Sequence, residues 1–247
     1  MTAETIYYAI GDVHGMAKSL EALHALVLAD HERRGGKAAV IHLGDYVDRG
    51  PDSRGVIDLV MKLEKKAEGS RTLSVHSLLG NHEQMMLDAW DGGPGTAEEH
   101  WLMNGGSDAL KSYTRGRDVD KRAQNSKEWR AAVDPAHIDW LRELPTMLVD
   151  ETRKLVFVHA GIDPNTYPDC KDEIRIWTRS PRFFDPDRWP DRPELDGIRV
   201  IHGHTPTTDL APDVGERRIN VDTGAVYGGA LTCVVLAPGE KADFLAV

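Results

Sequence analysis

Five short segments concentrate side chains that bind metals or move protons: Gly11-Asp12-Val13-His14-Gly15, Gly44-Asp45-Tyr46-Val47-Asp48-Arg49-Gly50, Gly80-Asn81-His82-Glu83, His159-Ala160-Gly161 and Gly203-His204-Thr205. Taken singly, each reads as an ordinary turn, because Asp-Gly and His-Gly pairs are common turn chemistry. Asp12 and His14 are two residues apart, so an extended turn can aim both at one side and chelate one ion. Carboxylate, amide and imidazole together form the ligand set that borderline divalent metals such as Mn, Fe and Zn accept.

These segments have to be gathered by the elements around them. Thr5 to Ile10 reads as a strand ending at Gly11, followed by a helical pattern with Leu20, Leu23 and Val27 on one face. The same grammar recurs at Ala38 to Leu43 before Gly44, with Val56, Ile57, Val60 and Met61 at helical spacing. It recurs again at Leu73 to Leu79 before Gly80, with a helix over His82 to Trp90. Alternating strands and helices imply an α/β domain whose loops share one sheet edge, where ligands usually bind. The stretch 91–134 breaks the alternation and reads as a helical insertion. A helix opening at Asp134-Pro135 then runs to Leu144.

From Thr146 onward short strands follow: Met147 to Val149, Leu155 to His159, Arg199 to His202, Arg218 to Val221 and Leu231 to Leu236. Mixed or antiparallel pairing is expected for them. Pro164 to Pro193 is dense in Pro, Asp and Arg and reads as a long functional surface loop. The whole chain, 1–247, is expected to be one domain.

Composition narrows the function. The 247 residues carry 30 basic and 40 acidic side chains, a formal −10, which argues against nucleic-acid binding through a broad basic face. Cys170 and Cys233 are too few for a disulfide framework or a cysteine zinc knuckle. Neither a basic leader followed by an apolar stretch nor a membrane-length apolar run is present, so a cytoplasmic place with no membrane partner is expected.

In order along the chain, GDVHG, GDYVDRG, GNHEQMM, WLMNGG, IWTR, HGHTP and DTGAV resemble the metallophosphoesterase superfamily and, within it, the PPP group of serine/threonine protein phosphatases. The phage members of that group are similar even at GNHEQMM, at Trp101 to Gly106 and at DTGAV. The resemblance implies a calcineurin-like sandwich of two mixed β-sheets flanked by helices. It also implies two divalent ions, manganese first with iron and zinc as the other candidates.

Carried over onto matching positions, Asp12 and His14 would hold the first ion, Asp45 would bridge both, and Asn81, His159 and His204 would complete the second site. His202 is the neighbour that competes with His204. A bridging hydroxide would attack phosphorus directly, as in other two-metal sites. His82 would be the general acid for the leaving oxygen, oriented by Asp48. Arg49 would grip phosphate oxygens in bidentate fashion. Arg179, in Ile176-Trp177-Thr178-Arg179, resembles the family's second phosphate-binding arginine, with Arg175 and Arg182 as rivals. His24, His31, His42, His76, His100 and His137 match no ligand motif and read as surface or core groups. Asp222-Thr223-Gly224 reads as a support beside the site.

The function the resemblance favours is hydrolysis of phosphoserine or phosphothreonine, and of phosphotyrosine as a further substrate, on phosphorylated proteins or peptides. Bacterial diadenosine tetraphosphatases are similar in several of the same motifs. Dinucleoside polyphosphate hydrolysis is therefore the alternative, although the second motif of that group is closer to Ala-Arg-Gly than to Asp48-Arg49-Gly50. A catalytically silent module that binds phosphorylated partners is the alternative from another class. It finds little support, because every ligand and the acid are present.

Overall fold

The computed structural model describes residues 4–93, 96–114 and 126–247. Its first half alternates strands and helices: β1 (Ile6–Ile10), α1 (Ala17–Arg34), β2 (Ala38–His42), α2 (Ser53–Ala67), β3 (Leu73–Ser77) and α3 (Asn81–Trp90). The second half carries β4 (Met147–Asp150), β5 (Leu155–Val158), β6 (Arg199–His202), β7 (Asp213–Val214), β8 (Arg218–Asn220), β9 (Thr232–Leu236) and β10 (Asp243–Ala246).

Two five-stranded sheets result, ordered β10-β9-β1-β2-β3 and β4-β5-β6-β8-β7. Both are mixed. In the first, β1, β2 and β3 run parallel, β9 pairs antiparallel with β1, and β10 pairs antiparallel with β9. In the second, β5, β6 and β8 run parallel with antiparallel β4 and β7 at the edges. Strands covered on both faces should be apolar throughout, and β1 shows why. Tyr7 and Ala9 face the second sheet and pack with Phe157, Ile201 and Ile219. Ile6, Tyr8 and Ile10 face Leu20, Leu23 and Val27 of α1 and the apolar stripe of α2. The outer face of the second sheet is covered by Tyr167, Phe183, Trp189 and Leu195.

That third apolar cluster corrects one expectation. The stretch 164–193 is not an open loop. It holds α8 (Asp172–Trp177), α9 (Pro181–Phe184) and a 3₁₀ turn at Pro186–Arg188, and its Tyr167, Phe183 and Trp189 bury with Val156, Val158 and Val200 of β5 and β6. Its polar density marks one side only. Between α3 and β4 the described residues are helical: α4 (Ala97–Trp101), a π-type turn over Leu102–Gly106, α5 (Ser107–Thr114), α6 (Ser126–Ala132) and α7 (Pro135–Glu143). Residues 94–95 and 115–125 of the expected insertion lie outside the described residues. α7 starts as its sequence requires, with Asp134 accepting a hydrogen bond from Ala136 N at 3.0 Å and proline in the first turn. Among the described residues no helix is long and apolar enough to cross a membrane.

Candidate metal centre

The loops that follow β1, β2 and β3, and those that follow β5 and β6, meet over one end of the sandwich. Asp12, His14, Asp45, Asp48, Asn81, His82, His159 and His204 are all buried there. The backbone is strained at the same place. Among the described residues seven non-glycine positions have left-handed φ, and five of them are His14 (42°), Asp45 (55°), Asp48 (73°), Arg49 (65°) and His204 (68°). Such conformations cost about 1–3 kcal/mol each and persist where surrounding contacts enforce them.

Asp45 stands at the middle. Its Oδ2 is 3.4 Å from His14 Nε2 and its Oδ1 is 3.3 Å from His159 Nε2, so its two oxygens serve two sides. Carbonyl groups only accept, and this fixes the imidazoles. His14 Nδ1 donates to Val47 O at 2.9 Å and His159 Nδ1 donates to Leu43 O at 3.0 Å, leaving each Nε2 with its lone pair toward Asp45. Burial lowers both rings, His14 to about 3, which keeps them neutral. His204 N–H donates to both oxygens of Asp12, at 3.0 and 3.1 Å, and His204 Nδ1 lies 2.8 Å from Asn81 Oδ1.

His159 Nε2, Asn81 Oδ1 at 2.9 Å and Asp45 Oδ1 at 3.3 Å are three acceptors gathered around the one N–H that His204 Nδ1 offers to Asn81 Oδ1. A cation satisfies such a set. The wider electrostatics agree. Asp12, Asp45, Asp48, Glu83 and Asp222 are five buried carboxylates, and the guanidinium groups at hand are Arg49 and Arg179. Burial, then neighbouring carboxylates, push Asp12, Asp45 and Asp48 well above the usual carboxylate range. Divalent ions reverse that penalty. On the His14 side Arg49 Nη1 donates to His14 Nε2 at 2.7 Å, one cation standing where another would bind.

The donor geometry gives two triads able to hold an ion: His14, Asp45 and His82, and Asp45, His159 and His204. The second agrees with the expected ligands. The first contains His82, expected as the acid, and lacks Asp12, whose carboxylate is turned to His204 N and lies beside Asp222. His82 Nδ1 is bound to Asp48 Oδ2 at 2.7 Å, and its backbone N–H donates to Asp45 Oδ1 at 3.1 Å. Burial, with His14 and Arg49 alongside, holds the His82 ring below its usual range.

The rival side chains have different surroundings. His202 lies against Phe183 and Phe184, with ring centroids at 5.0 and 5.8 Å, and its Nδ1 donates to Gly203 O. Arg179 Nε donates to His204 Nε2 at 3.2 Å, whereas Arg175 is bound to Thr146, Asp172 and Pro168 O. Arg182 lines a groove with Ile162, Asp163 and Pro164 instead.

Two supporting residues escape sequence reasoning. Glu83 accepts four backbone N–H groups, from Asp45 (2.8 Å), Tyr46 (2.7 Å), Val47 (3.1 Å) and Gly80 (3.0 Å), and so binds the β2–α2 loop to the start of α3. Its place in Gly80-Asn81-His82-Glu83 was the available signal. Trp101 Nε1, 53 residues away in sequence, donates to Asp48 Oδ1 at 2.9 Å, and no local pattern signals that. Gly105 O accepts from Arg49 N at 3.2 Å. Gly105 has φ 108°, and a Cβ there would stand 2.8 Å from both Arg49 N and Arg49 Cγ.

A model of the calcineurin-like phosphoesterase family matches residues 7–232. The symmetrical bis(5'-nucleosyl)-tetraphosphatase of Pectobacterium atrosepticum is 33% identical over 211 residues, covering 80% of this chain and 62% of that protein. The asymmetrical bis(5'-nucleosyl)-tetraphosphatase of Oceanobacillus iheyensis is 27% identical over 250 residues, covering 90% of this chain and 85% of that protein. The chain thus spans 53% to 62% of the length of the symmetrical enzymes from Hamiltonella defensa and Pectobacterium atrosepticum. In fold it is similar to a protein serine/threonine phosphatase from Saccharomyces cerevisiae, with TM-score 0.61 at 15% identity over 99% of this chain and 80% of the other.

Proposed function

Because the chain belongs to the calcineurin-like phosphoesterase family, we propose that it is a metal-dependent hydrolase of dinucleoside polyphosphates. The observation that carries this reading is the pair of tetraphosphatase relatives, one of which matches nearly end to end. It reverses the order expected from the motifs, which put phosphoprotein hydrolysis first.

In this reading Asp12, His14, Asp45, Asn81, His159 and His204 would hold two divalent ions, which would supply charge stabilisation and activate the attacking water. Arg49, whose Nη1 rests on His14 Nε2, would turn its fork to the phosphate oxygens. Arg179, anchored on His204, grips the phosphate from the opposite side. His82 would give a proton to the leaving oxygen, with Asp48 on Nδ1 as the partner that offsets the burial otherwise keeping the ring neutral.

Phosphomonoester hydrolysis on Ser, Thr or Tyr is the second reading, and the His82–Asp48 pair favours it. An alkoxide leaves poorly without a proton, whereas a nucleotide phosphate is a weak base and needs little help. The two readings separate in a comparison of kcat/KM for diadenosine tetraphosphate and for phosphoserine, phosphothreonine and phosphotyrosine peptides, with Mn²⁺ supplied. We expect the dinucleotide to exceed every peptide by at least about tenfold, a gap of 1.4 kcal/mol in transition-state stabilisation. A peptide preference of that size would overturn the proposal.

A further inference from the structure

Two large aromatic side chains stand open at the mouth of the metal centre. Trp177, at the end of α8, is 40% exposed, and Tyr227 is 59% exposed. Each sits beside an arginine of the site. Trp177 is two residues from Arg179, and its ring centroid lies 6.3 Å from that of His204. Tyr227 lies under the Arg49 guanidinium at 5.8 Å. Exposed rings of this size lose hydration energy unless something covers them.

Trp177 also has a second face. The exposed ring of His100, brought by α4, stands 6.5 Å from it with a 32° angle between the planes. A third flat ring fits between two others at about 7 Å, twice the carbon contact distance. Exposed His100 stands at close to that spacing. Trp177 in turn borders His204, which carries Arg179, so the two rings lie beside the proposed phosphate position. Phosphoserine and phosphothreonine offer no flat group, and the ring of phosphotyrosine adjoins its ester oxygen, whereas the base of a nucleotide stands a ribose away from its phosphate and spans the distance from Arg179 to the outer face of Trp177. Stacking on an aromatic face also accepts any base, because every base has a π-face.

We propose that Trp177, with His100 opposite, stacks the base of the nucleotide whose phosphate Arg49 and Arg179 hold, and so selects nucleotides over other phosphate esters. The inference rests on the nucleotide reading of the site and adds the group that recognises the base.

The test uses the metal-loaded protein and two competitive inhibitors of aryl phosphate hydrolysis, adenosine 5'-monophosphate and inorganic phosphate. Loss of one stacked base should weaken binding about tenfold. The wild-type protein should therefore be inhibited by adenosine 5'-monophosphate at about one tenth of the phosphate concentration. In Trp177→Ala that ratio should collapse to about one, while Trp177→Phe keeps most of it and His100→Ala loses part. Equal inhibition by both anions in the wild type, or an unchanged ratio in Trp177→Ala, would overturn the inference. Turnover of diadenosine tetraphosphate is read separately. A wild-type protein that prefers adenosine 5'-monophosphate yet leaves the tetraphosphate intact would remove the hydrolase reading and keep the base site.

Discussion

Replacing Glu83 by Gln tests whether the metal centre depends on one buried acid that touches no ion. Glu83 Oε1 accepts from Tyr46 N and Val47 N, and Oε2 accepts from Asp45 N and Gly80 N. Glutamine keeps the shape but has one accepting oxygen, so its NH₂ group would face two backbone donors. Two hydrogen bonds to a charged group are lost, at about 1.5–3 kcal/mol each, or about 3–6 kcal/mol in total. Relief of the repulsion that Glu83 exerts on Asp45 and Asp48 offsets part of this. With a urea slope of about 3 kcal/mol/M, the unfolding midpoint of the metal-free protein should fall by about 1 M or more. The loop released carries Asp45, Asp48 and Arg49, so Mn²⁺ affinity measured by titration calorimetry should fall about 10–100-fold. A midpoint within about 0.3 M of wild type together with unaltered affinity would refute the argument.

Two other variants probe separate parts of the molecule. His82→Ala should keep both ions by elemental analysis and lose about 10²-fold in kcat on esters with alkoxide leaving groups. Loss of an ion would instead place His82 among the ligands, as the His14, Asp45 and His82 triad permits. Under the β2 end, His24 and His42 face each other with their Nε2 atoms 2.8 Å apart, and burial pushes His24 down to about 4. Between 6.5 and that value the unfolded chain binds a proton that the folded chain refuses. The contribution of His24 is therefore complete above pH 6.5 and falls away toward pH 4, by about 3 kcal/mol. Urea midpoints from pH 7.5 to 4.5 should drop less steeply in His24→Gln, whose amide does not titrate. Parallel slopes would assign the acid sensitivity elsewhere.

The candidate site was legible because each ligand motif is local. A glycine-flanked Asp-x-His or Asn-His pair announces itself within five residues, and the strand before it fixes which edge it reaches. What the sequence hid depends on partners far apart in the chain. The choice of His204 over His202 becomes physical only when Phe183 and Phe184 fold over His202. Trp101 stands in a legible motif, but its partner shows only when its indole N–H meets Asp48, and His100 reads as a surface or core group until α8 brings Trp177 to it. β10 went unread because Asp243–Ala246 is a short, partly exposed edge strand with no clear apolar alternation. The helices within 164–193 were hidden by their own surface polarity, while their buried side is aromatic.

The inserted helices reach the metal centre at two adjacent residues, through Trp101 on Asp48 and through the Gly105 carbonyl on the Arg49 backbone. The candidate ligands lie at strand ends, while Asp48 and Arg49, in the loop after β2, are steadied by contacts from the helices between α3 and β4. The same helices present His100 to Trp177. A shift of these helices would therefore reach the proposed acid pair, the proposed phosphate grip and the proposed base site together, while the contact of Asp45 with His159 stays in place.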